Sequence, residues 1–190
     1  MADKYNNFED LARYEKEGLD FDIELKDRSS VYAVIAIHGG NIEPATTEIG
    51  CNLAGDDFSF YSFIGKKKTE QESEDLHITS SHFDEPRVLA LVQRSPRVIS
   101  IHGKSGRNEF IMVGGLDGEM VQKTKDVLMA NNFVLFEAPD KVNGDSLGNI
   151  CNKSISKKGL QLEISRGLRD EFLKSRKKLL DFCHIIKGIL

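Results

Sequence analysis

A chain of 190 residues, 39% hydrophobic and 29% charged, has apolar material for one well-filled core and little for a second. The net charge of -4, from 26 Lys and Arg against 30 Asp and Glu, argues against general nucleic-acid binding. A mean hydropathy of -0.35, with no apolar run of spanning length, argues against a membrane protein. Cys51, Cys151 and Cys183 are scattered without a C-x-x-C pair, so buried free thiols are expected rather than disulfides or a thiolate metal site. The polar start MADKYNNFEDLARYEKEG has no signal-peptide core, so one soluble domain over residues 1–190, made in the cytoplasm, is expected.

Asn7–Gly18 places Phe8, Leu11 and Ala12 at helical spacing and predicts a short amphipathic helix stopped by Gly18. Phe21–Lys26 alternates apolar and charged residues, as a half-exposed strand near an edge does. Val31–Ile37 is apolar throughout, the pattern of a strand buried on both faces. It ends on His38, with Gly39 and Gly40 free to turn through positive φ. Pro44–Ala54 then reads as a helix with Ile49 and Leu53 inward and Gly55 as its stop. Phe58–Gly65 is an aromatic-rich strand, and Lys66–Asp75, which has no apolar residue, is an exposed loop on the rim.

Asp84 is placed to cap a helix opening at Pro86, with Val88, Leu89, Leu91 and Val92 buried. Val98, Ile99 and Ile101 form a second strand, in which His102 and Gly103 repeat the ending of the first. Phe110–Val113 is a short strand, Asp117–Asn131 a helix and Phe133–Phe136 another strand. Pro139–Gly159 is a long irregular connection, a kind more often functional than idle. Leu160–Ile164 is the last strand, with Glu163 near its end. A C-terminal helix from about Arg169 presents Phe172, Leu179, Leu180, Cys183 and Ile186 on one side. Strands alternating with helices predict an α/β fold around one mixed sheet.

The two strands ending in His-Gly are where chemistry would sit, because ligands of open α/β sheets bind at the carboxyl ends of strands. His38, His102 and one carboxylate are the ligand set of a catalytic zinc site, which keeps a position for water. Glu43 is preferred as that carboxylate over Glu48, which lies a turn into the helix and can answer the helix dipole. Glu163 is the best-placed general base. Alone, either histidine would more often be structural; the repeated strand-His-Gly context favours ligands. His82 in TSSHFDEP reads as a substrate contact, His77 as structural and His184 as unimportant.

The segments AIHGGNIEPATTEI, HITSSHFDEPR, SIHG and GLQLEISRGLR together resemble the phage- and prophage-encoded poly-γ-glutamate hydrolases, from about Tyr5 to Leu168. The resemblance implies a single open sheet of mixed parallel and antiparallel strands flanked by helices, similar to the core of zinc carboxypeptidases. It implies one zinc ion (Zn2+) per chain, with His38, Glu43 and His102 on the ligand positions and Glu163 on the catalytic one. The step from His38 to Glu43 departs from the H-x-x-E spacing of true carboxypeptidases. The implied substrate is the polyanion poly-γ-glutamate, which an acidic protein can grip only with local cations. Lys104 and Arg107 follow His102, and Arg166 and Arg169 follow Glu163; Arg107 and Arg166 are the expected carboxylate contacts. A monomer is expected, without nucleic-acid or membrane partners, meeting an extracellular polymer after lysis or by an unusual exit. Two rival readings are a zinc-dependent deacylase of a small N-acyl-glutamate-like amide and a non-catalytic phage structural or interaction protein.

Overall fold

The computed structural model describes residues 3–139 and 142–190. A six-stranded mixed sheet has the order β1-β3-β2-β4-β6-β5. The helices α1 (Phe8–Ala12), α2 (Thr46–Ala54), α3 (Glu70–Ser73), α4 (Pro86–Arg94), α5 (Gly118–Ala130), α6 (Arg166–Lys174) and α7 (Arg176–Lys187) surround it. The strands are β1 (Phe21–Lys26), β2 (Tyr32–Gly40), β3 (Ser59–Gly65), β4 (Arg97–Lys104), β5 (Ile111–Gly114) and β6 (Gly159–Ser165). β3, β2, β4 and β6 run parallel, and β1 and β5 close the two edges antiparallel. None of the described helices is long and apolar enough to cross a membrane.

Period-two alternation divides the core between the sheet's faces. Val34, Phe60, Ile99, Ile101, Leu160 and Leu162 meet α2, α5, α6 and α7 on one side, while Ala33, Ile35, Ile37, Tyr61, Phe63 and Val98 meet α1 and α4 on the other. The chain passes from β2 to β3 through α2, then returns through α4 to lay β4 on the opposite flank of β2. The strand order therefore reverses between β2 and β4, and the carboxyl ends of these strands flank a switch point.

Several elements differ from the expectations. α1 ends at Ala12, well short of Gly18, although Asn7 caps it by accepting from the Asp10 amide. β2 does not stop at Ile37: Gly39 and Gly40 still pair with Ile64 and Gly65 after a register shift that begins at Ala36. Only Gly40 turns through positive φ, at 64°. Pro44 stays outside α2, which opens at Thr46 behind Ala45 in the left-handed region. Within Lys66–Asp75, the expected loop, Thr69 and Glu72 form a capping box that starts α3. α4 is capped by Glu85, because Asp84 accepts instead from the Phe8 amide. Phe133–Phe136 makes only a single bridge, Ile111 to Leu135. The C-terminal helix is two, broken at Ser175, and Leu180 is exposed while Phe172, Leu179, Cys183 and Ile186 are buried as expected. The Pro139–Gly159 connection holds a 3-10 turn at Ile150–Lys153; its residues 140 and 141 lie outside the described ones.

The register shift re-aims His38. Gly39 then has no room for a side chain, since a β-carbon would stand 2.2 Å from Thr47 Oγ1 and 2.5 Å from Ser62 Oγ. Gly39→Ala is therefore expected to cost about 1–3 kcal/mol, seen as a lowered urea midpoint with an unchanged slope. An unchanged midpoint would show that α2 can move away from β2 at no cost.

Candidate metal centre

Three parallel strands deliver side chains to one point. β4 and β6 pair in register, with Ser100 beside Gln161 and His102 beside Glu163, so His102 and Glu163 stand on one face of neighbouring strands. His38 arrives from β2. Its Nε2 lies 2.9 Å from the Ile78 carbonyl, which fixes the proton there and turns the Nδ1 lone pair towards the other groups. His102 is held by Ser100 Oγ, 2.8 Å from Nε2, a hydroxyl that can donate or accept, so its Nδ1 is turned to the same point. The two Nδ1 atoms then face each other at 3.2 Å.

Glu43 completes this meeting. The Glu43 amide donates to the His38 carbonyl at 2.9 Å, and Thr46 Oγ1 donates to the carbonyl of Glu43 at 2.8 Å. This turn presents the carboxylate 3.3 Å from His38 Nδ1 and 3.8 Å from His102 Nδ1, with the Gly103 amide donating to Oε2 at 2.7 Å. Glu48 is exposed on the first turn of α2 and stays away.

A third imidazole, read as structural in the sequence, lies against this group. The His77 ring stacks on His38 at 4.0 Å between centroids, and its Nδ1 is held 2.8 Å from Asp3 Oδ1. Donor atoms of His38, Glu43 and His77 lie within 4.8 Å of one another, close enough to hold a metal ion. No local signal marks His77, because its position depends on Asp3, a contact across the N-terminal segment.

Electrostatics at the centre are strongly coupled. Burial opposes charge on His38, but the Glu43 carboxylate outweighs it and raises the imidazole's pKa. Burial likewise opposes charge on Glu43, yet His38, with His102 and the Gly103 amide, holds it down to about 2. His102 is pushed down to about 3, first by burial and then by the His38 charge against the pull of Glu43. The His38 charge, then burial, pushes His77 down to about 4. For Glu163, burial and then the Glu43 charge raise the carboxyl to about 8.

These groups line a cleft of about 800 Å³, which also takes Glu70, Lys104, Arg107, Arg166 and Arg169. Arg107 is exposed on the rim. Arg166 lies on the wall but is engaged: Glu70 takes Nη1 and Nη2 at 2.6 and 2.9 Å, and Asp170 takes Nε at 2.7 Å. Arg169 is buried, donating to the carbonyls of Ile164 and Pro44 while its guanidinium packs on Gly103. His82 is not brought to the site. Phe83 anchors its turn in the core and turns His82 outward, so the lining takes Thr79, Ser80 and Ser81 instead.

The model of a family described as poly-gamma-glutamate hydrolase matches residues 5–180. UPF0714 protein YndL of Bacillus subtilis (strain 168) is 38% identical over 181 residues, covering 92% of this chain and 70% of that protein. The fold superposes on the structure of a bacteriophage poly-gamma-glutamate hydrolase with a TM-score of 0.91 at 30% identity, covering 98% of this chain and 96% of the other. A zinc-free apo structure of YndL gives a TM-score of 0.90 at 35% identity, with the same coverage of 98% and 96%.

The raised Glu163 carboxyl has a consequence for stability. In the metal-free protein it keeps its proton up to about pH 8 when folded, whereas the ordinary carboxyl value is 4.5. The native state binds more protons between those limits, so stability falls as pH rises through them. Glu163→Gln is expected to stabilise chelator-treated protein in urea unfolding at alkaline pH, with the gain shrinking towards pH 4.5. A gain independent of pH would contradict this.

Proposed function

Because the chain belongs to the poly-γ-glutamate hydrolase family, we propose that it is a zinc-dependent hydrolase of the γ-glutamyl amide bonds of poly-γ-glutamate. His38, Glu43 and His102 would hold the ion, and Glu163 would serve as the base. The observation that carries this reading is the convergence of two imidazole Nδ1 atoms and a carboxylate beside Glu163 in one cleft. Zinc bonds nitrogen and oxygen at about 2.0–2.2 Å, so a tetrahedral site has ligand-to-ligand edges of about 3.4 Å. The two Nδ1 atoms, 3.2 Å apart, match one such edge, and Glu43 brings Oε1 to 3.3 Å from His38 Nδ1 and Oε2 to 3.8 Å from His102 Nδ1. His77, whose Nδ1 is taken by Asp3, keeps Nε2 as a further donor within reach of His38 and Glu43.

A bound zinc would supply a carbonyl-polarising charge and a water of lowered pKa. The protein's residues would do the rest. Glu163, on the strand beside His102, would take a proton from the attacking water and hand it to the departing amine. Burial favours its neutral form, and a cation alongside would favour the carboxylate the reaction needs. Lys104 and Arg107 on the rim would hold substrate α-carboxylates against the repulsion of a protein with net charge -4. Arg166 could join them only by sharing its guanidinium with Glu70, since that fork is already filled.

Purified protein is expected to carry one zinc and to release short products from poly-γ-glutamate, and to lose that activity with chelator. Glu163→Gln should keep the zinc and lower kcat about 100- to 10,000-fold, whereas His102→Ala should lose the zinc. Cleavage of a small N-acyl glutamate but not of polymer would favour the deacylase reading. Protein without stoichiometric metal, indifferent to Glu163→Gln, would favour a non-catalytic one. Arg107→Ala should raise KM about 10-fold, the scale of one charge-assisted hydrogen bond, with kcat little changed; an unaltered KM would remove Arg107 from the substrate contacts.

A further inference from the structure

Behind Glu163 lies a chain of buried amides that the reaction as described does not use. Gln161 is two residues earlier on β6, on the same face, and its Nε2 donates to Glu163 Oε1 at 2.9 Å. The same Nε2 also donates to the Val142 carbonyl at 3.1 Å, while Gln161 Oε1 accepts from Asn149 Nδ2 at 2.8 Å. Asn149 is fixed in turn, because its Oδ1 accepts from the Cys151 amide at 3.1 Å. Gln161 and Asn149 are only 3% and 5% exposed although both reach the wall of the cleft, so these bonds are made almost entirely within the protein.

Such a chain has one direction only. Turning the Gln161 amide over would set its oxygen against the Val142 carbonyl and the Glu163 carboxylate, and would leave its nitrogen facing the Asn149 donor. The donor sequence therefore starts at a backbone amide and ends on one oxygen of the base, leaving Oε2 for the proton. The loop is shaped for this: Gly144, at φ 71°, lies so close that a β-carbon there would be 3.0 Å from Gln161 Cβ. β4 repeats the arrangement, with Ser100 supporting His102 two residues on.

We propose that Gln161, aligned by Asn149 and the Val142 carbonyl, is a positioning residue that sets the rotamer of Glu163 by holding its Oε1. This rests on Glu163 being the base of the reaction proposed above. Gln161→Met keeps length and removes the donor. It should lower kcat on poly-γ-glutamate about 10- to 100-fold, the usual cost of a misplaced group or lost supporting contact, with KM and zinc content held within about threefold. Should Gln161→Met fail to fold, a pair at position 149 decides. Asn149→Asp preserves the acceptor for the Cys151 amide but offers Gln161 an oxygen, inviting the amide to turn over; Asn149→Ala leaves the Val142 carbonyl to hold it. The expected order of kcat is wild type, then Asn149→Ala, then Asn149→Asp at a level near Gln161→Met. A purely space-filling role predicts that Asn149→Ala is the worse of the two, and that order, or full kcat in Gln161→Met, overturns the proposal. Wild-type protein that does not cut the polymer overturns the underlying reading and this one with it.

Discussion

Two imidazole nitrogens facing each other at 3.2 Å in a buried site are the constraint around which the rest is arranged. Each ring has its far nitrogen engaged, one by a main-chain carbonyl and one by a hydroxyl, so the near nitrogens must share a proton or a cation. Glu43 supplies the negative charge that makes either arrangement tolerable in low dielectric. The reversal of strand order, the irregularity after Ala36 and the hydrogen-bonded turn from His38 to Thr46 all bring these three groups to one place.

Much of this was legible in the sequence because it is written locally. An apolar run closing on His-Gly, met twice, marks strand ends, and a strand's two-residue period puts Glu163 on a definite face. Glu43 could be separated from Glu48 because one helical turn carries Glu48 away. What stayed hidden depends on distant partners. His77 reaches the centre only through Asp3, and Arg166 is filled by Glu70, 96 positions away. The break at Ser175 is hidden in a stretch of good helix formers. It lets α6 and α7 fold together, bringing the rings of Phe172 and Phe182 to 5.1 Å. Gly39 was read for its freedom to turn, whereas its use is close approach to α2 within a pair that continues.

The cleft also shows how an acidic protein can face a polyanion. Its cations are not equivalent. Arg169 is committed to two carbonyls and ties the turn after β2 to the end of β6, so its charge comes with rigidity. Arg166 is shared with two carboxylates that are half exposed, pairs of the kind worth about 1 kcal/mol or less each. Lys104 and Arg107 sit at the mouth with fewer commitments, where a charge contributes most to capture.

His102 and Glu163 are register partners on parallel strands, and both depend on a helper two places back. Inserting or deleting a single residue ahead of the pair in either strand would send helper and helped together to the other face. Length changes in relatives should therefore be purged from β4 and β6 and gather in the stretch around Glu70. That stretch borders the same cleft, so its length can change what lines the mouth while the pairing of the two strands stays as it is.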